Sequence, residues 1–128
     1  MAGLTAIEGK DDILETLYNE QTLEVGLFTN TSGLTANSVL ADITQPSAAG
    51  GYAVKTLAPA SWTITNGSAT HPNQLFQAVG AAFSAPIYGY FIKTTSGRIV
   101  LRHFEVDTAA PVIVSDGQTY EVDLSSVI

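Results

Sequence analysis

From Gln21 onward, turn-forming residues recur at intervals of roughly ten positions, and the runs between them are too short for typical helices. Asn66-Gly67 is the clearest of these signals, the dipeptide most favoured in two-residue hairpin turns. Thr95-Ser96-Gly97-Arg98 reads as a second hairpin connection with glycine in the left-handed position, and Asp116-Gly117 as a further turn. In the first run, Leu23, Val25 and Leu27 alternate with Glu24, Gly26 and Phe28, so one face reads as core. Further strand-like runs are Tyr52–Leu57, Trp62–Thr65, Ile87–Thr94, Ile99–Phe104, Val112–Val114 and Tyr120–Leu124, with short apolar pieces at Leu75–Val79 and Ala82–Ser84. This spacing predicts an all-β fold: a β-sandwich or jelly-roll-like barrel of about seven or eight short antiparallel strands.

The first twenty residues follow a different pattern. Thr5 and Glu8 have the spacing of a capping box, and Ile13, Leu14, Leu17 and Tyr18 form one apolar stripe of a short amphipathic helix. Gly9 weakens a helix interior, so a later start capped by Asp11 or Asp12 is the other register. Residues 1–20 are therefore expected to be an arm with a short N-terminal helix, and residues 21–128 a single β domain. Within that domain, about residues 29–51 read as a long loop. Its polar part, Thr29–Pro46, has room for a helical turn in Asn37–Thr44, and Ser47–Gly51 reads as a flexible joint.

Composition narrows the possible functions. Five Lys and Arg against 12 Asp and Glu give a net charge of −7, and charged residues are only 13% of the chain, about half the usual share. With no basic cluster, nucleic acid and anionic membrane are poor partners, because both are bound through Lys and Arg. No run approaches a membrane span, and Met1–Lys10 lacks the basic start and apolar core of a signal peptide. The absence of cysteine excludes disulfides, thiolate metal sites and a thiol nucleophile.

No catalytic residues emerge from the motifs. Gly50-Gly51 leads into a strand without a Walker lysine or a dinucleotide fingerprint, and neither His71 nor His103 is matched by a Gly-x-Ser-x-Gly elbow. His103, Glu105 and Asp107 share a strand face that could hold a metal but reads more simply as a solvated face ending in a loop. Asp107, Asp116, Glu121 and Asp123 could converge on calcium, although their spacing matches no known loop. The expectation is no enzyme, no cofactor and no metal. Trp62, Tyr88 and Tyr90 are the candidate interaction residues. With Phe91 they are large aromatics on or near strands, able to form a stacking platform for a carbohydrate, although core and oligomer contacts use the same residues more often. Tyr88 and Tyr90 fall on one face of their strand and Phe91 on the other, which predicts one exposed aromatic face. The sequons Asn30-Thr31-Ser32 and Asn66-Gly67-Ser68 read as incidental without a signal peptide.

The order of short motifs resembles that of small structural proteins of tailed-phage virions, the capsid decoration or cement-like family. The resemblance is carried by Leu23-Glu24-Val25-Gly26-Leu27-Phe28-Thr29 before a Thr/Asn-rich loop, Gly51-Tyr52-Ala53 with Trp62 shortly after, Tyr88-Gly89-Tyr90-Phe91, and the closing Asp116-Gly117-Gln118 turn. It covers about residues 3–125, with a departure at His71–Phe83, where the family pattern has a cleaner strand. It implies a virion protein, assembled in the bacterial host cytoplasm, whose partner is the major capsid protein or another virion component. It also implies a homo-oligomer, with a trimer favoured at a three-fold position, and either the N-terminal helix or the Thr29–Gly51 loop as the reaching element. A tail, baseplate or head-fibre adaptor, or a carbohydrate-binding adhesion module, would be the other assignments.

Overall fold

The computed structural model describes residues 3–125; the outermost residues of the expected arm and β domain, 1–2 and 126–128, lie outside them. The described residues form an all-β fold with one short N-terminal helix. The helix, α1, spans Ile7–Leu14 and continues as a wider π turn through Glu15–Asn19. Eight strands follow: β1 Leu23–Phe28, β2 Lys55–Leu57, β3 Thr63–Thr65, β4 Ser68–Thr70, β5 Gln74–Gln77, β6 Gly89–Thr94, β7 Leu101–Val106 and β8 Thr119–Val122. All pairings are antiparallel: a four-stranded sheet in the order β2-β1-β6-β7, and the two-stranded ribbons β3-β4 and β5-β8.

Strand register explains how the core forms. Leu27 pairs with Tyr90 and Val25 with Ile92, so these side chains share one face of the sheet. That face packs on Ala69 of β4, Phe76 of β5, Tyr120 and Val122 of β8, and Leu14 and Tyr18 of the helical segment. The strands do not divide into two equal sheets; the ribbons and the helix together make the opposing layer. Phe28 and Phe91 are also fully buried, but on the other side of the sheet, where Phe28 meets Phe104 edge-on at 6.4 Å. The single-faced core expected for β1 is therefore corrected to a strand buried on both sides. Glycines at Gly26 and Gly89 allow this second layer. A Cβ on Gly89 would lie 2.1 Å from the Glu105 carbonyl oxygen and 2.5 Å from Phe28 Cζ.

Local signals have mixed outcomes. The Asn66-Gly67 turn forms as expected, both residues having positive φ (51° and 75°), and closes β3 onto β4 with Thr65 opposite Ser68. Gly97 is left-handed in the β6-β7 connection, which Thr94 organises by donating to Arg98 O and accepting from Val100 N–H. Two 3-10 turns, Leu40–Asp42 and Ala49–Gly51, lie in the long loop, and in the first the Asp42 carboxylate accepts from Val39 N–H. The expected capping box is absent: Ala6 occupies the N-cap with no side-chain bond, and the helix begins before Asp11 and Asp12. Asp11 instead accepts a hydrogen bond from Gly67 N–H at 2.6 Å, so tertiary contact takes the carboxylate that helix capping would use. On the apolar stripe, Leu14 and Tyr18 are buried and Leu17 packs against the core, whereas Ile13 is 53% exposed. The expected flexible joint at Ser47–Gly51 is a packed one. Gly50 is buried with φ 71°, its carbonyl accepts from Val79 N–H, and a Cβ there would strike the Ala81 carbonyl oxygen at 2.7 Å.

Candidate functional site

Two of the three aromatic candidates lie in the core. Trp62 is 5% exposed, between Tyr18 (4.7 Å between ring centroids) and His71 (4.9 Å), and its backbone N–H and C=O are both bonded by the Asn19 side chain. Tyr90 is 6% exposed. Tyr88 is half-buried, its N–H donating to Phe28 O and its carbonyl accepting from Asp107 N–H. The exposed aromatic face expected of Tyr88 and Tyr90, with Phe91 opposite, is therefore corrected: both sides of β6 are covered, because residues from the ribbons fill one and Phe28 and Phe104 the other.

Tyr90 does contribute to a polar cleft of about 320 Å³ where the ends of β6 and β7 meet β8. Its hydroxyl donates to Glu105 Oε2 at 2.7 Å, and His103 Nε2 lies 3.4 Å from the phenol oxygen. On the opposite wall the Tyr120 hydroxyl donates to Asp107 Oδ2. Burial pushes both phenols well above the ordinary tyrosine range, and the carboxylate each one bonds adds to the shift. Burial lowers His103, and Glu105 opposes that shift. Neutral phenols donating to carboxylates fix these side-chain positions. Glu121 and Asp123 also line the cleft, but Asp116 lies apart, accepting from Gly80 N–H at 2.9 Å. Among the described residues no group of three or more His, Asp or Glu side chains is placed to hold a metal ion.

A different surface stands out once charge is mapped onto the fold. Between Ile43 and Ile92 the only Asp, Glu, Lys or Arg is Lys55, and residues 108–115 contain none. The fold brings three uncharged segments together. Val79 N–H bonds Gly50 O, Ser47 N–H bonds Ser84 Oγ, Phe83 N–H bonds Val114 O, and Ile87 and Val112 exchange both backbone bonds. Beneath them Ala78, Phe83 and Val114 are buried. On the outside Val79 is 65% and Ile113 70% exposed, and Ala81, Ala82, Pro86 and Pro111 are exposed as well. Asp116 borders this surface through its bond to Gly80. No catalytic or ligating residue type marks this surface in the sequence; its one signal there is the long interval almost without charge.

No family model, curated protein or solved structure matches the chain.

Proposed function

We propose that this chain is a non-enzymatic structural protein of a tailed-phage virion, most specifically a capsid decoration or cement protein. The observation that carries this reading is the uncharged, apolar-studded surface built from residues 47–50, 78–87 and 109–114. Interface cores are depleted in charge, and a surface without charges is buried without the desolvation cost that ion pairs must recover. Apolar area removed from water contributes roughly 25 cal/mol per Å², and repetition around a shell multiplies a modest contact into a large effect. The order of motifs that resembles virion proteins gives this surface a context, with the capsid protein and further copies of the chain as partners. A carbohydrate-binding role, which calls for an exposed Trp62 or Tyr88, is disfavoured by the burial of Trp62 and the partial burial of Tyr88.

Copy number in purified particles tests the assignment. Quantitative mass spectrometry against the major capsid protein should give a ratio near that of a shell component. A ratio of a few copies per particle would replace the cement reading with a tail, baseplate or head-fibre adaptor. Absence from particles would overturn the virion assignment altogether.

A further inference from the structure

Asn66-Gly67 is the only Asn-Gly pair in the sequence, and it occupies an exposed turn that the N-terminal helix covers from one side. Gly67 N–H donates to Asp11 Oδ1 at 2.6 Å across 56 residues of sequence, and a Cβ on Gly67 would lie 3.3 Å from Lys10 Cδ. The nitrogen of this turn is thus held by a carboxylate on α1, with the Lys10 stem beside it. Asn66 remains open to water.

We propose that Asn66-Gly67 is a latent modification site, a spontaneous deamidation turn kept closed by the Asp11 carboxylate. The Gly67 backbone nitrogen attacks Asn66 Cγ, forming an N–C bond and a five-membered imide. The Cγ–Nδ2 bond breaks, and the proton lost from Gly67 N leaves with the side-chain amide as ammonia. Water then opens the imide at one carbonyl or the other, giving aspartate or isoaspartate, with no change in oxidation state. Glycine places no side chain in the path of the attack. The native contact opposes it in two ways: the attacking nitrogen must first give up a charge-assisted hydrogen bond, and the carboxylate disfavours the negative charge that develops as the amide loses its proton. Isoaspartate adds a carbon to the main chain of a two-residue turn, which the Thr65–Ser68 register does not accommodate. Chemical ageing of the turn and release of α1 are therefore coupled: loss of either promotes the other.

Peptide mapping with isoaspartate separation, on protein held at neutral pH, tests this directly. Asp11→Ala should deamidate at residue 66 about tenfold faster than the native chain, the loss of one charge-assisted bond ahead of the attack. Asp11→Asn, which keeps an oxygen acceptor without the charge, should fall between them. Circular dichroism on the same samples confirms that the variants are folded. If Asp11→Ala does not fold, the native chain is compared with itself in urea, where at least about tenfold protection of the folded form is expected. An unchanged or slower rate in folded Asp11→Ala, or equal rates for the native and urea-unfolded chain, would overturn the proposal.

Discussion

Single side chains in this protein repeatedly join segments far apart in sequence. The Tyr52 hydroxyl accepts from Leu27 N–H at 2.9 Å and donates to Gln45 Oε1 at 2.6 Å, tying the chain ahead of β2 to β1 and to the long loop. Burial pushes its pKa up to about 12 from 10.0. The folded state therefore holds this proton where the unfolded chain releases it, and its stabilising contribution is complete below pH 10 and is lost as pH rises toward 12. Urea unfolding at a series of alkaline pH values should show stability falling across that interval, with a shallower fall in Tyr52→Phe. Tyr52→Phe should also lose about 1–3 kcal/mol at neutral pH, because Leu27 N–H is left buried without its acceptor. Trp62 is a second such residue. Trp62→Ala should cost about 3–5 kcal/mol in the same assay, by removing the ring packed between Tyr18 and His71. An unchanged midpoint would mean that the indole is not part of the folded core.

Among the elements, the N-terminal helix depends on its surroundings because its own ends are poorly satisfied. It has no side-chain cap, includes Gly9, and is docked through Asn19 on Trp62 and Asp11 on Gly67. A missing cap can be supplied. Ala6→Asp should raise stability by about 1 kcal/mol, since an oxygen at the N-cap accepts one of the free N–H groups of the first turn and its charge faces the positive end of the helix. Thermal unfolding reads this as a higher midpoint; a lower one would show that the arm cannot adopt capping geometry. The β3-β4 hairpin is the converse case, since Asn66-Gly67 fits its turn unaided. Gly67→Ala places a side chain at φ 75° and against Lys10, and should lower stability by about 1–2 kcal/mol.

For the molecule as a whole, the decisive property is the separation of charge from one surface. Acidic residues are concentrated in α1 and in β7 through β8, while Val79 and Ile113 project from a neutral patch. If that patch mediates assembly, light scattering over a hundredfold concentration range should show a stable oligomer. The double variant Val79→Asp, Ile113→Asp should then dissociate it and melt like the native chain diluted to monomer, because exposed positions away from caps and cores usually change protomer stability by less than about 0.5 kcal/mol. A native chain that is monomeric at every concentration would remove self-association from the proposed function and leave the patch to a different partner.

What was legible in the sequence is whatever is decided over a few neighbouring residues. Alternation placed β1, Asn-Gly placed the β3-β4 turn, Gly97 placed the β6-β7 connection, and the spacing of these signals indicated an all-β chain of about seven or eight strands with a helix ahead of them. Each depends on backbone conformations that adjacent side chains favour or exclude. Long-range competition decided the rest. Thr5 and Glu8 have capping-box spacing, yet Ala6 is the N-cap, Glu8 lies in the first turn without capping it, and Asp11 bonds a turn 56 residues away. Ser47–Gly51 has a flexible composition, yet Gly50 is the close contact on which Ala81 and Phe83 pack. The two faces of β6 are both buried because β1 and β7 supply phenylalanines on one side and the ribbons fill the other. The candidate surface follows the same rule. The absence of charge between Lys55 and Lys93 is written in the sequence, but only the hydrogen bonds joining residues 47–50, 78–87 and 109–114 turn it into one exposed patch. Local preference is set by a residue and its neighbours; which surfaces meet depends on pairing energies between segments that the chain separates by tens of residues.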